Sequence, residues 1–422
     1  MTNSQATEQT QKALVIGGGI VGIQCAIHLK KAGFNVQILE RGQPGQEASF
    51  GNAGCLAVSE VVPMAMPGII KHVPGWLLDP LGPLAIRWSH LPALVPWLWR
   101  FMRAGNWDQV ERTSTAAAAL MELTTDSWKG ISKEAGLHNE IHWTGNITVY
   151  ETEAAYKGDE AYWNLYRKRG VPFEPLTPEQ LHEREPDLAP IFKHAVYCPS
   201  YARVSDPARI ATRLADHFLS LGGEIISGQA LDFTFNQNVP IAVRCADGRE
   251  IFFDKVVVAA GAWSKTLARK LGSKVLLESE RGYNTTLPNP GVRLNHPIMS
   301  AEGHFALSHL DIGLRIGGAA EFAGLDAPAN FKRSKAILKL GQRYLPDLQE
   351  EGAKEWMGHR PSTPDSLAVI GASPIHKNAF FAFGHGHLGL TQAAGTGRVI
   401  ADLASGQAPS VNIDAFSIAR FN

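Results

Sequence analysis

Apolar and polar positions along this chain fall into two periods, and the way they alternate predicts an α/β protein with an insertion of different character. Ala13-Leu14-Val15-Ile16 is a short apolar run that reads as a buried strand. From Ile20 to Ala32, Val21, Ala26, Ile27 and Leu29 are apolar, Lys30 and Lys31 lie near the end, and Gly33 follows; this predicts a helix. Val36-Gln37-Ile38-Leu39-Glu40 reads as a second strand. The same order returns later. Asp206-Pro207 opens a helix to about Leu221, Gly222-Gly223 stops it, and Glu224-Ile225-Ile226 starts a strand. Asp247-Gly248-Arg249-Glu250 reads as a hairpin turn, and the apolar run from Lys255 through Ala260 to Gly261 as a fully buried parallel strand.

Between these stretches the pattern changes. Residues 61–102 are rich in proline, tryptophan and leucine, and a long helix is predicted from Asp108 to Ala135. Ile147 to Tyr150 reads as a strand and Ala154 to Gly170 as helical. Thr177, Pro178 and Glu179 have the N-cap, N1 and N2 chemistry of another helix. Gly282 to Glu321 reads as antiparallel, with Gly313 to Gly318 a strand ending at a turn. The chain closes with strands at Ala368 to Gly371 and Ala379 to Phe383, then Gly384-His385-Gly386-His387-Leu388-Gly389-Leu390-Thr391, then a helix to about Leu403.

The glycines at the first strand-helix junction supply the first candidate chemistry. Gly17, Gly19 and Gly22 follow G-x-G-x-x-G: the first allows the tight turn, the second lets a pyrophosphate approach the main chain, and the third lets helix and strand pack closely. Free N–H groups at Ile20 and Val21 face that pyrophosphate. Glu40, ending the second strand, is placed to accept hydrogen bonds from a ribose diol and would repel a 2′-phosphate, which disfavours NADP. Gly389 to Thr391 lie at another strand-helix junction, a second place to stabilise negative charge.

Composition narrows the class. A chain of 422 residues with 45% hydrophobic and 19% charged residues suits two domains of a folded globular protein. Lys+Arg and Asp+Glu are both 40, so there is no electrostatic case for nucleic acid. Cys25, Cys55, Cys198 and Cys245 form no C-x-x-C pair, which argues against a zinc site or a disulfide framework and points to a reducing cytoplasm. The polar leader Met1 to Lys12 has no apolar core and reads as a frayed end. No apolar run is long enough to span a bilayer. Residues 63–102 leave two readings open: a lid and helix over the substrate cavity, or a peripheral contact with the inner face of the cytoplasmic membrane, where tryptophans beside Arg87, Arg100 and Arg103 are at home.

Five segments together resemble the glutathione-reductase-type flavoproteins of the D-amino acid oxidase superfamily, and most closely the bacterial D-amino acid dehydrogenases. They are Gly17 to Gly22 with Glu40-Arg41; Ala48-Ser49-Phe50-Gly51-Asn52-Ala53-Gly54; Val257-Val258-Ala259-Ala260-Gly261; Gly358-His359-Arg360-Pro361-Ser362-Thr363-Pro364-Asp365; and Gly384 to Thr391. Pro83 to Trp88 also resembles the dehydrogenase branch. The resemblance implies a Rossmann-type FAD-binding domain (12–62, 176–275 and 352–420) and a mainly antiparallel substrate domain (63–175 and 276–351). It implies extended FAD, with Glu40 at the ribose, Arg41 near the adenine, and Ser49, Asn52, Ala53 and Gly54 along the pyrophosphate and flavin. Ala260 and Gly261 would touch the cofactor, and Gly386, Leu388, Gly389, Leu390 and Thr391 would surround the far edge of the isoalloxazine.

By the same resemblance Arg360 pairs with the substrate carboxylate, a task its bidentate fork suits. Tyr283 and His304 are weaker candidates for the cavity wall, since a lone Tyr or His is more often a satisfied core residue. His385 and His387 have no third ligand at suitable spacing, so no metal is expected. The implied reaction is hydride transfer from Cα of a D-amino acid to flavin N5, giving an imino acid and then a 2-oxo acid and ammonia. Electrons would pass to a quinone or another acceptor. The variant Arg360-Pro361-Ser362-Thr363-Pro364-Asp365-Ser366 resembles relatives acting on D-hydroxyproline, which keeps D-proline and cis-4-hydroxy-D-proline among the substrates. Ser366 and Cys55 depart from the branch and leave side-chain specificity open. The alternatives are a glycine or sarcosine oxidase releasing hydrogen peroxide, and a non-catalytic dinucleotide-binding regulator.

Overall fold

The computed structural model describes residues 10–79 and 82–422. Residues 1–9 of the expected leader lie outside the described residues, and Lys12 already belongs to the first strand. A six-stranded sheet runs in the order Glu224–Ser227, Asn35–Glu40, Lys12–Ile16, Lys255–Val258, Ala379–Phe383, Val369–Ala372. Its neighbours pair in parallel, except for the antiparallel last pair. Val15, Val36, Ile38, Val257 and Phe381 are fully buried, as continuous apolar strands of a sheet covered on both faces should be.

The helix Ile20–Lys31 covers one face and packs on Gly389–Ala404, which in turn meets the 28-residue helix Trp107–Glu134. Small residues bring these backbones together: a Cβ on Gly397 would lie 2.6 Å from the Gln24 carbonyl oxygen, and one on Gly395 would lie 2.4 Å from Thr124 Oγ1.

A nine-stranded sheet stands beside the first. Three long strands begin it from one edge, Lys354–Ser362, Glu278–Leu287 and Gly313–Phe322, each antiparallel to the next. Leu84–Ile86 and Ile298–Ser300 add parallel pairings at Gly313–Phe322 and Asn146–Tyr150. The fold is therefore the α/β class expected. The boundaries expected at 175/176 and 351/352 do not follow sheet membership, because Glu174–Leu176, His194–Cys198 and Lys354–Ser362 all lie in the large sheet. A strand's residence is set by its hydrogen-bonded partners, which are distant in sequence here.

Two local differences shape the cavity. The strand expected to end at Gly318 continues to Phe322 through a register shift opposite Arg281 and Tyr283, with Ala319 held at φ 57. A bulge absorbs an extra residue and re-aims its neighbours. The helix expected over Ala154 to Gly170 is two helices, Glu153–Gly158 and Glu160–Lys168, joined at Asp159. Tyr150 donates to the Asp159 carboxylate at 2.9 Å, a side-chain bond that holds the break. Elsewhere the local chemistry acts as read: Thr177 caps Pro178–Arg184 in a capping box with Gln180.

Candidate active site

The carboxyl ends of Lys12–Ile16 and Lys255–Val258, the start of Gly389–Ala404 and the large sheet enclose a cavity of about 1230 Å³. Gly17, Gly19, Ile20, Val21, Glu40, Arg41, Ser49, Asn52 and Ala53 line one end. Gly17 adopts φ 111 with its Cβ position 2.5 Å from the Ala259 carbonyl oxygen, and a Cβ on Gly22 would lie 1.9 Å from the Gly17 carbonyl oxygen. These two positions admit glycine because backbone fills the space. Gly19 differs: its Cβ direction meets only Ser49 Oγ, at 3.4 Å, so its hydrogen is what keeps the cavity open there. Ser49 Oγ accepts from Ile20 N at 2.9 Å, so the Ile20 N–H expected to be free is taken, while Gly19 itself brings no capping side chain. That end of the cavity therefore presents a helix N-terminus to a phosphate.

Glu40 accepts from Gly18 N at 2.6 Å and Gly42 N at 2.8 Å, which fixes its carboxylate at the strand end with further lone pairs for a diol. Arg41 stacks 3.7 Å over the Trp263 ring and pairs with Glu47 at 2.5 Å. Ala260 and Gly261 line the wall beside them. At the other end Gly386, Leu388, Gly389 and Leu390 face the cavity, at the start of a helix that no side chain caps. The cavity thus has the volume, the two helix starts and the terminal acid that extended FAD requires.

Gly54 and Thr391 are not part of the lining. Gly54 N donates to Asn52 Oδ1 at 2.9 Å, and Thr391 Oγ1 accepts from Ala57 N at 3.0 Å, so both hold the cofactor loop in shape from behind. Gly22 likewise acts through packing.

Arg360 lies on the wall of the large sheet directly across from Glu280, and its Nη1 donates to Glu280 Oε1 at 3.0 Å and to the Ala319 carbonyl at 2.8 Å. The bulge explains the second bond, since it turns the Ala319 carbonyl toward the guanidinium. Nη2 makes only a 3.5 Å contact, with the Gly318 carbonyl, and so retains donor capacity on a side chain that is 27% exposed. Gly282 is the seat of this group: a Cβ there would lie 2.3 Å from Nη2.

Tyr283 stands between the cavity and the core. Its ring borders the cavity, yet the residue is 1% exposed. Its hydroxyl donates to Glu321 Oε2 at 2.5 Å and accepts from Asn330 N at 3.0 Å. Burial raises its pKa. It is a satisfied core tyrosine. Tyr283→Phe should cost roughly 1–3 kcal/mol of stability, because Glu321 would keep its burial and lose a donor. Urea unfolding of both proteins checks this, and a fall in turnover beyond the loss of folded protein would return Tyr283 to the substrate.

His304, at φ 51, lines the cavity edge-on to Trp76 at 5.2 Å, where burial and His72 lower its pKa. Burial also lowers the pKa of His387, whose neighbouring charges are Glu280 and Arg360. His385 bonds Thr396 and is pushed down to about 3, so it stays neutral. Among the described residues no three His, Cys, Asp or Glu side chains converge as a metal site. Cys55 lies 3.4 Å from Ser308 Oγ and its thiol is pushed up to about 11 by burial.

Two groups on the wall had no sequence signal. Arg315 donates to Thr286 Oγ1 at 3.0 Å and to the Asn52 carbonyl at 2.6 Å, tying the cofactor loop to the large sheet; in sequence it is one polar residue in a strand. Glu60 gathers the hydroxyls of Tyr162 and Tyr201, more than 100 residues away, and no local pattern announces such a cluster.

Residues 12–403 match the FAD dependent oxidoreductase (DAO) family, and the chain belongs to that family. It is 38% identical over 416 residues to a D-amino-acid oxidase of Bradyrhizobium diazoefficiens, covering 96% of this chain and 98% of that protein. Its fold is that of glycine oxidase from Geobacillus kaustophilus (TM-score 0.76, 21% identity, 97% and 99% of the two chains). It is also that of L-proline dehydrogenase from P. horikoshii (TM-score 0.74, 20% identity, 98% of each chain). The protein is a flavoprotein oxidoreductase acting on amino acids, and its cofactor is FAD.

Proposed function

We propose that the protein oxidises a D-amino acid, or a cyclic D-imino acid such as D-proline, at Cα, with Arg360 as the carboxylate anchor. The observation that carries this reading is the Arg360 guanidinium, held against Glu280 and the Ala319 carbonyl with Nη2 left for a ligand. Glu280 fixes one side of the fork, so an incoming carboxylate takes the other without breaking the ion pair. Bound FAD supplies the acceptor for the hydride lost from Cα. An amino acid whose ammonium proton has gone to solvent needs no further base on the protein: loss of hydride from the neutral amine leaves an iminium, which water converts to a 2-oxo acid and ammonium, or, for a cyclic imino acid, to an open-chain amino 2-oxo acid that keeps its nitrogen. The protein's contribution is alignment, exclusion of water by the aromatic wall and the fixed positive charge.

The stereochemical outcome tests the reading. Carboxylate anchor, amine position and cofactor face together select one hydrogen, so the D enantiomer should bleach the flavin spectrum anaerobically far faster than the L. Equal rates would favour an achiral substrate such as glycine or sarcosine. No bleaching by any amino acid would leave a dinucleotide-binding regulator.

Electrons then pass, on this reading, to a quinone at the membrane surface rather than to oxygen. The support is the segment 63–102, which divides its faces. Trp97 is buried and donates to the Ser362 carbonyl at 3.1 Å, and Leu91, Leu98 and Phe101 line the cavity. Trp88 also lines the cavity yet is 76% exposed, Leu78 is exposed, and Trp99 and Met102 are exposed next to Arg103, whose guanidinium lies over the Trp99 ring. Tryptophan, leucine and arginine at a cavity mouth suit an interface between water and lipid. Among the described residues no helix is long and apolar enough to cross a membrane. Turnover in air should reduce a soluble quinone faster than it yields hydrogen peroxide; stoichiometric peroxide would make the protein an oxidase.

A further inference from the structure

One part of the cavity wall gathers two carboxyl groups, Glu60 and Asp159, among tyrosine hydroxyls. Glu60 accepts from Tyr162 at 3.0 and 3.1 Å and from Tyr201 at 3.1 Å. Tyr162 and Tyr166 share a hydrogen bond of 2.8 Å. Asp159, at the break between two short helices, accepts from Tyr150 at 2.9 Å, and Tyr150 itself accepts from Trp163 Nε1 at 3.0 Å. All of these side chains line the cavity.

Asn146 and Thr148, alternate residues on the strand that carries Tyr150, line it as well. Asn146 is 2% exposed and its Oδ1 accepts no hydrogen bond. A buried acceptor without a donor costs about 1–3 kcal/mol unless something arrives to satisfy it. A native wall that keeps one open toward a cavity is set for a ligand donor.

The charge balance points the same way. Among the described residues no lysine lines the cavity, and the arginines that do are committed away from this wall: Arg41 to Glu47, Arg315 to Asn52 and Thr286, Arg360 to Glu280 and the substrate carboxylate. Glu60 and Asp159 therefore face the cavity with tyrosine hydroxyls and no cation. Burial raises the pKa of both, which is the state of a carboxyl that lacks a positive partner. A ligand bringing that charge would leave both carboxylates ionised and paired.

We infer that this wall binds a cationic substrate side chain, so that the preferred substrates are D-amino acids ending in an ammonium or guanidinium group, with Glu60 the chief determinant of that preference. The inference rests on the carboxylate-anchoring role of Arg360 proposed above. The substrate is then held at two ends: its carboxylate by Arg360 and its distal cation by Glu60, Asp159 and the Asn146 carbonyl, with Cα between them. A neutral chain of the same length would strip water from the two carboxyls and return nothing.

D-Lysine and D-norleucine, which have the same chain with and without the ammonium, decide the matter when each is used to bleach the flavin of the holoenzyme anaerobically. The wild-type protein should favour D-lysine in kcat/KM by about tenfold or more. Glu60→Gln should bring the ratio of the two close to unity, and Glu60→Asp should keep part of it. Should Glu60→Gln lose FAD or fold poorly, Asp159→Asn is read in the same way, and the wild-type ratio stands on its own. A wild-type protein that uses D-norleucine as well as D-lysine, or a Glu60→Gln variant that slows both equally, overturns the inference while leaving D-amino acid oxidation intact. Failure of every D-amino acid to bleach the flavin overturns the underlying reading instead.

Discussion

Arg360→Ala should lower kcat/KM for the best substrate by about a hundredfold or more, a loss on the order of 3 kcal/mol, while FAD occupancy stays close to that of the wild type. The magnitude comes from the setting: a charged fork that anchors a carboxylate in a partly dehydrated cavity makes two bonds that water does not replace. Arg360→Lys should also lose activity, though less, because a point charge does not reproduce two parallel N–H···O bonds. Arg360→Ala also strands Glu280, whose side chain is only 5% exposed. Adding Glu280→Gln removes that buried charge and separates the two effects. If the pair of substitutions restores turnover, Arg360 serves to neutralise Glu280 and the carboxylate anchor lies elsewhere. The measurement is kcat/KM for the wild type and the three variants together with flavin absorbance per chain.

The second large effect contrasts two glycines three residues apart. Gly19→Val should fold and purify mostly as apoprotein, because the new side chain enters the open cavity where the glycine motif would seat the pyrophosphate and meets only Ser49 Oγ within the protein. Gly22→Val should instead lose about 3 kcal/mol or more of stability, since its Cβ would lie 1.9 Å from the Gly17 carbonyl oxygen and neither backbone has room to move. Circular dichroism melts and flavin content of both variants distinguish the outcomes. Full FAD occupancy in Gly19→Val would place the pyrophosphate away from this turn.

Much of the first sheet was legible in the sequence because its determinants are local. An apolar run, a glycine turn, a helix with basic residues at its end and an acid closing the next strand each declare themselves within about ten residues, and the structure has Lys12–Ile16, Ile20–Lys31 and Asn35–Glu40 where that grammar puts them. The motif around Arg360 was legible as a motif, but its neighbours were not. Glu280 stands across from it only through the pairing of two strands 80 residues apart, and the Ala319 carbonyl reaches it only because of a bulge that the glycine pair at 317–318 suggested as a turn.

What the sequence by itself determined, then, is the glycine end of the cavity, where main-chain N–H donors take positions that follow from glycine spacing and the start of one helix. Tertiary structure alone decided the substrate end. Tyr283, in sequence a weak candidate for the cavity wall, is bonded to Glu321 and Asn330, while Glu60, Asn146, Asp159 and Tyr201 come from four separate segments to form one wall. Side-chain recognition of this kind depends on which strands pair and where a helix breaks. These are long-range outcomes of burial and register, and no short stretch of the chain encodes them.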